Sequence, residues 1–501
     1  MSNEPVFVGL DCSTHGAKAI AWSLQGEPKA QASSSFPLHN PHAGFWEQDP
    51  RDWLEASQRV LSQIARELGP RVAAIAITHQ RETIVGVDDA GSPVRPGIVW
   101  MDERSRDDVQ HLRQVVGADS FHAITGKPLS LTPSISKILW VRRSEPDFFQ
   151  RIERWLDVHA WLVRHFTGQD VTAVGSADPM GLIDISLGQW DDGLLAVAGL
   201  DQRSVPRLVP SGHIVGKLTN QQASVMGFPF PIPIVATAGD GQVAALGAGI
   251  RDLRTAYMNL GTAIVAGVVS RTAWKDLAFR TMVGAESGTY LLESDLKGGT
   301  FCIDWLSHKL LNGRVGVPQL EQNAASIRPG SEGLMWVPYL ATAMNPYWDD
   351  NASGLVVGLR GDHGPAHIFR AILEGIAFEQ RLQLEGIERV SHERIEIVRV
   401  LGGGAQSDLW CQILADVLNR PVVRTKQPET TSLGAAMLAA ITLSALPSLS
   451  EAIHEMSKED KAFEPGTSKD LYARLYSEVY SHLYPSVRTS MSNLTKILRN
   501  P

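Results

Sequence analysis

Two short segments, about half a chain apart, constrain this sequence more than any other feature. Residues 6–22, VFVGLDCSTHGAKAIAW, set two apolar, β-favouring runs on either side of a Gly/Ser/Thr tip that is too small for a crossover helix. Residues 257–269, YMNLGTAIVAGVV, repeat the pattern, with Gly261 and Thr262 interrupting two apolar runs. Each reads as a hairpin whose tip exposes backbone N–H groups and hydroxyls. The pair predicts a duplicated architecture in which each half contributes a phosphate-facing turn. Length agrees, because 501 residues exceed what one hydrophobic core supports, and two large domains imply a cleft between them.

Charge narrows the function classes. A net charge of -8 with 20% charged residues argues against nucleic acid or an anionic membrane as the main partner. The start, MSNEPVFVGL, has no basic n-region, and no apolar run reaches the length of a membrane span, so a cytoplasmic protein is expected. Cys12, Cys302 and Cys411 stand far apart in unlike contexts, which predicts reduced core thiols rather than disulfides or a zinc site.

The first hairpin tip, DCSTHGAK, supplies what phosphate handling needs: an acid (Asp11), hydroxyls (Ser13, Thr14), a glycine (Gly16) and a lysine (Lys18). The alternative is a tight turn whose hydroxyls only cap it. No G-x-x-x-x-G-K-[ST] occurs, which disfavours a P-loop fold. Downstream, RVAAIAITHQ reads as a strand ending in QRET, and PGIVWMDERS as a short strand followed by charge. Arg81 could donate to hydroxyl oxygens, Glu82 accept from hydroxyl hydrogens, and Trp100 cover a C–H face, as a polyol requires. The alternative is a solvated ion pair and a core tryptophan. GFWEQDPRDW (44–53) reads mainly as packing at the domain surface.

Proline and glycine are dense from Pro206 to Pro233, where short strands and turns alternate. Further on, IEIVRVLGGGAQSDLWCQILADVLNRP reads as strand, triple-glycine turn and helix, with Ser407 as N-cap and Pro421 past the end. The glycines form either a simple tight turn or a flat surface for a nucleotide. TSLGAAMLAAITL predicts a helix directly after it, and small residues at 434–436 imply close approach of a neighbouring helix or a ligand.

Residues 232–247, IPIVATAGDGQVAALG, admit two readings. G-x-G-x-x-A would place a dinucleotide pyrophosphate on a helix N-terminus and make the chain a nicotinamide-dependent oxidoreductase. That reading needs an acid about 20 residues on, and the window YMNLGTAIVAG has none. The other reading is a turn built to present Asp240 to a cleft, with Gly239 and Gly241 clearing space for substrate and phosphate.

Taken in order, GLDCSTHGAKA, GFWEQDPRDW, ITHQRET, GIVWMDERS, SKILW, AGDGQ, NLGTA, VPYLATAMNPYWDDNASG, RAILEGIAFEQR and LGGGAQSDLWCQILADVLNRPV with ETTSLGAA resemble the FGGY carbohydrate kinases along nearly the whole chain. The resemblance implies an α/β chain with the actin-like ATPase fold, two similar ribonuclease H-like domains around a central cleft that closes over ATP and sugar. Residues 1–250 are then the N-terminal domain, 251–450 the nucleotide-binding C-terminal domain, and 451–501 a helical tail packed on the body. Asp240 matches the catalytic base and, with Asp11, the Mg2+ site, directly or through water. Ser13, Thr14 and Lys18 lie in the first phosphate turn, Gly261 and Thr262 in the second, and Gly403, Gly404 and Ala405 in the adenosine turn. Gln80, Arg81, Glu82 and Trp100 join Asp240 in binding substrate.

QRET, Trp100 and NPYWDD resemble the glycerol kinase branch, but Ser134 stands where that branch has an aromatic residue, which predicts room for a larger acceptor. NLGTA and GGGAQSDLW resemble the xylulokinase branch, which has Met-His in place of Gln80 and Arg81. The expected partner is a small polyol or ketose, with no nucleic acid, no membrane, and a homodimer left open. A non-catalytic actin-like nucleotide- or sugar-binding module is the remaining alternative.

Overall fold

The computed structural model describes residues 4–499. Strict alternation along the first hairpin decides its place: Val6, Val8 and Leu10 point into one core and Phe7 into another, so both faces of the strand must be covered. The first hairpin is β1 (Val6–Cys12) and β2 (Gly16–Trp22), followed by β3 (Pro28–Ser35). Helix α1 (Pro50–Leu68) starts at Asp49, whose carboxylate accepts from the Arg51 N–H, and buries Trp53, Val60, Leu61 and Ile64 against the sheet. The sheet is completed by β4 (Val72–His79), β5 (Ile214–Lys217) and β6 (Pro233–Gly239), in the order β5-β6-β4-β1-β2-β3. Strands β1, β4 and β6 are parallel, so their carboxyl ends open at one edge.

Helix α2 (Asp240–Gly247) leaves the end of β6 and leads to the second sheet. There β7 (Thr255–Leu260), β8 (Ile264–Ser270), β9 (Arg280–Val283) and β10 (Tyr290–Leu296) form the antiparallel part. The long helix α3 (Pro365–Ser391) backs the sheet, and β11 (Ile397–Leu401), helix α4 (Asp408–Leu418) and β12 (Val422–Thr425) follow. Helix α5 (Thr430–Thr442) comes next, and β13 (Glu459–Phe463) closes the order β9-β10-β8-β7-β11-β12-β13. An antiparallel run of three strands followed by two parallel ones appears in both sheets, β3-β2-β1-β4-β6 and β10-β8-β7-β11-β12. The hairpin similarity read from sequence is therefore a duplication of topology.

Three details differ from the sequence reading. Strand β12 intervenes between α4 and α5, the segment after 450 contributes β13 as an edge strand besides its helices, and a short helix, Asn220–Met226, lies in the proline-rich stretch. Helix α5 also does not stay with the second sheet. Trp22 Nε1 donates to Ser432 Oγ at 3.0 Å, Ser432 Oγ donates to the Gly9 carbonyl at 2.9 Å, and Leu433, Ala436 and Met437 join Phe7, Ile20 and Trp22 in one core.

The small residues at 434–436 are explained by a helix, not a ligand. A Cβ on Gly434 would run into the Val243 carbonyl and lie 2.8 Å from the Gly247 N, so α5 and α2 meet backbone to backbone. Gly434→Ala is expected to part these helices and destabilise the protein by about 1–3 kcal/mol, seen as a lower thermal unfolding midpoint. An unchanged midpoint would show that the helices are not packed this closely.

Candidate active site

Asp240 is the first residue of α2, with Gly239 as an extended N-cap. Its Oδ1 accepts from the Gly241 N–H at 2.8 Å and faces Arg81 Nε at 3.1 Å, while the side chain stays 39% exposed. Both contacts fall on Oδ1, and the partial exposure leaves the carboxylate accessible.

Arg81 follows the end of β4 and is nearly buried. Its Nη1 donates to both oxygens of Glu293, each at 3.0 Å. Glu293, on β10, lies opposite Arg280 of β9 and also accepts from Arg280 Nε at 2.6 Å and from the Tyr257 hydroxyl at 3.1 Å. Burial alone would push the Glu293 carboxyl up, but Arg280 and Arg81 outweigh it and hold it at about 2. Burial also opposes the charge on Arg81, and Glu293, Asp240 and Glu82 outweigh that in turn.

Glu82 sits between these groups with φ 59°, a left-handed conformation that is strained for a side-chain-bearing residue. Ser134 Oγ donates to its carbonyl at 2.9 Å, and Arg280 Nη1 lies 3.5 Å from its carboxylate. Ser134 is thus itself buried and supports the Glu82 backbone. Burial raises the Glu82 carboxyl, against the pull of Arg280 and Arg81.

A closed ring of hydrogen bonds fixes the opposite wall. Trp100 Nε1 donates to Thr14 Oγ1 at 3.0 Å, and the Trp100 N–H to Thr83 Oγ1 at 3.1 Å. Thr83 Oγ1 donates to Gln80 Oε1 at 3.1 Å, Gln80 Nε2 to Gln48 Oε1 at 2.9 Å, and Gln48 Nε2 to the Thr14 carbonyl at 2.6 Å. Both ends of the Gln80 amide are therefore used within the protein, and Gln80 supports the wall from behind instead of facing a ligand. Gln48, from the stretch read as surface packing, is the completely buried hub.

Asp11 is the penultimate residue of β1, with Oδ1 buried and without a hydrogen-bond partner. Burial first, then Asp240 and Glu429, push its carboxyl up to about 8, with Lys18 opposing. Lys18 Nζ donates to Glu429 Oε1 at 2.6 Å, tying the first hairpin to the start of α5. Ser13 Oγ donates to the Gly16 carbonyl at 3.0 Å and shapes the tip.

The second tip, Gly261–Thr262, rests on the start of the short helix Thr300–Asp304, where the Thr300 N–H donates to the Gly261 carbonyl at 2.9 Å. A Cβ on Gly299 would lie 2.5 Å from that same carbonyl, so Gly299 is needed beneath the turn. In the triple-glycine turn, Gly402 has φ 84° and packs on the end of β7, and Gly404 faces Trp410 and Leu260. At Gly403 a side chain would meet open space, while Ala405 lies buried under the turn. Of the three residues expected in the adenosine turn, Gly403 has an open surface, and Gly404 and Ala405 build the turn.

The glycines flanking Asp240 have a different purpose from the one expected. A Cβ on Gly239 would collide with the Arg81 side chain, and one on Gly241 would lie 2.8 Å from Glu293 Oε2 and 2.9 Å from Arg81 Nη2. They clear space for the arginine and its carboxylate partner. Glu293, Arg280 and Tyr257 escaped the sequence reading. The available signal was an acid inside the apolar strand YLLESDL, since an unpaired glutamate is almost never fully buried.

Comparison with known proteins agrees with this geometry. Residues 6–247 match the model of the FGGY family of carbohydrate kinases, N-terminal domain, and residues 256–443 match its C-terminal domain. The chain is similar to a xylulose kinase of Staphylococcus epidermidis, 27% identical with 95% of each chain covered. It is also similar to a glycerol kinase of Deinococcus radiodurans, 31% identical with 95% of this chain and 96% of the relative covered. Among solved structures, the xylulose kinase of Rhodospirillum rubrum superposes with a TM-score of 0.90 at 29% identity, covering 97% of this chain and 99% of that one. The gluconate kinase of Lactobacillus acidophilus, at 23% identity and TM-score 0.93, covering 98% of this chain and 99% of that one, shares the fold. No helix among the described residues is long and apolar enough to cross a membrane.

Because three donors pin the Glu293 carboxylate, a methyl at position 241 cannot simply push it aside. Gly241→Ala is expected to displace Arg81 and lower turnover by about 100-fold, the cost of misplacing reacting groups by about 1 Å. Steady-state kinetics on the folded variant check this, and wild-type turnover would refute it.

Proposed function

The chain belongs to the FGGY family of carbohydrate kinases, and from that premise we propose that it transfers the γ-phosphoryl group of ATP to a primary hydroxyl of a small, neutral polyol or ketose, with Asp240 as the base. The observation that carries the reading is the posture of Asp240, at the head of α2 with one carboxylate oxygen held by Gly241 and Arg81 and the side chain 39% exposed. The acceptor oxygen forms the new bond to the γ-phosphorus as the bond to the β,γ-bridging oxygen breaks. The acceptor proton passes to Asp240, and the bond electrons leave with ADP. A positioned base of this kind contributes about 10²- to 10⁴-fold, with the remainder from orientation and electrostatics.

Arg81, Glu82 and Trp100 supply a donor, an acceptor and an apolar face for the acceptor. The Ser13–Thr14 and Gly261–Thr262 turns face the phosphates, with Lys18 beside the first, and Gly403 faces the adenosine. Asp11 and Asp240 are the residues that would hold Mg2+, through water. The unpartnered, buried Oδ1 of Asp11 beside Asp240 and Glu429 fits a divalent cation, whose charge would offset these carboxylates and the phosphates. Among the described residues no three such side chains converge closely enough to hold an ion unaided, which fits an ion that arrives with the nucleotide.

Neutrality of the acceptor follows from the charge count. Arg81 is already shared between Glu293 and Asp240, and Arg280 between Glu293 and Glu82. No cation in this group is left for a substrate carboxylate, which would meet three acidic side chains. With ATP and Mg2+, a panel of three- to six-carbon polyols, ketoses and aldonates, read by ADP release, is expected to give turnover on a neutral member. The best aldonate should be at least about 100-fold poorer in kcat/KM. Asp240→Asn should lower kcat on the best acceptor by about 10²- to 10⁴-fold with the fold retained. ATP binding without turnover on any member would point to a non-catalytic module, and a preferred aldonate would refute the neutral-acceptor assignment.

A further inference from the structure

We infer that Glu293, a residue of the second sheet, is a positioning residue for the phosphoryl-transfer site: it holds Arg81 away from full pairing with Asp240 and makes that arrangement depend on the two sheets being docked. The inference rests on the kinase reading above. Arg81 and Asp240 come from the first half of the chain, whereas Glu293, Arg280 and Tyr257 come from three strands of the second sheet.

The guanidinium is divided between two carboxylates. Its Nη1 faces both Glu293 oxygens at 3.0 Å, and its Nε faces Asp240 Oδ1 at 3.1 Å. An arginine fork pairs preferentially with two oxygens of one carboxylate. Here both Glu293 oxygens share one guanidinium nitrogen, Nη1, and Asp240 receives a single contact from Nε. Without Glu293, the same fork would be free to close on both oxygens of Asp240.

Glu293 is itself over-determined, which a residue that sets another's pose must be. It is completely buried and accepts from Arg280 Nε at 2.6 Å and from the Tyr257 hydroxyl at 3.1 Å. The start of α2 is shaped around the pair, since a Cβ on Gly241 would touch both Glu293 Oε2 and Arg81 Nη2. Separation of the sheets would withdraw Glu293 and leave Asp240 paired with Arg81. The base would then be available only in the docked state, in which bulk water is excluded from the cleft.

The test uses full-length protein with the best acceptor from the panel. Glu293→Gln is expected to lower kcat by about 100-fold, with the KM for ATP within about twofold of wild type. Tyr257→Phe keeps every charge and removes only one hydrogen bond to Glu293, and it should lower kcat by about three- to tenfold, again sparing the KM for ATP. Acceptor affinity, read by tryptophan fluorescence without ATP, should weaken in both. Folded variants with wild-type kcat and acceptor affinity would overturn the inference, as would equal losses toward ATP and acceptor. If Glu293→Gln does not fold, Tyr257→Phe decides by the same criteria. A wild-type protein that turns over no acceptor strikes instead at the functional reading.

Discussion

The architecture of the cleft depends on how closely α2 can be approached. This one helix is flanked by α5 on one side and by the second sheet on the other, and it is built from small residues. Gly247 lies so near the Thr430 carbonyl that a Cβ has no room, and Ala245 and Ala248 pack with Tyr257, Met282 and Leu291 of the second sheet. Because Asp240 heads this helix, its position relative to both sheets is set by these contacts. Larger residues at 244, 245 or 247 would increase apolar burial yet separate the sheets, and the Arg81–Glu293 pair spans that same junction.

That pair belongs to a buried ionic group whose members are not equivalent. Taking charges out of water is costly, and loss of one partner from a buried pair costs about 3–5 kcal/mol because the other is left uncompensated. Glu293, between two guanidinium groups, stays ionised down to about 2 and acts as a permanent anion. Glu82, on a strained backbone with Arg280 at 3.5 Å, has its carboxyl raised by burial and keeps capacity for another hydrogen bond. Under the proposed function, the division suits a site that must keep one carboxylate structural while offering another to substrate hydroxyls.

Much of the fold was legible in the sequence because it is written locally. The two hairpins, the strand before QRET and the glycine turn before Ser407 are each decided by alternation, turn residues and caps within about twenty positions. The docking of α5 on the first sheet was not legible, since the Ser432–Gly9 contact closes across 423 positions. For the same reason the Arg81 partner was invisible: Glu293 lies 212 positions away, and nothing near QRET announces it. Gly239 and Gly241 were misread because a glycine in sequence shows that space is needed without showing what fills it. Gln80 was misread because adjacency to Arg81 and Glu82 in sequence placed it with them, whereas its amide faces Gln48 and Thr83.

The ring that joins Thr14, Gln48, Gln80, Thr83 and Trp100 connects two tasks that the sequence shows only separately. Trp100 lies in the wall proposed for the acceptor and Thr14 in the turn proposed for phosphate, and a 3.0 Å hydrogen bond joins them directly. Each residue in the ring is already held by hydrogen bonds within the protein, so an arriving ligand need not reorganise this wall. Orientation of a hydroxyl against a phosphoryl group is worth more than any single contact made to either. A rigid link between the surfaces that hold the two reactants is therefore a physical requirement of the reaction, and here it is built from neutral hydrogen bonds that leave the charges of the site to Arg81, Glu82, Asp240, Arg280 and Glu293.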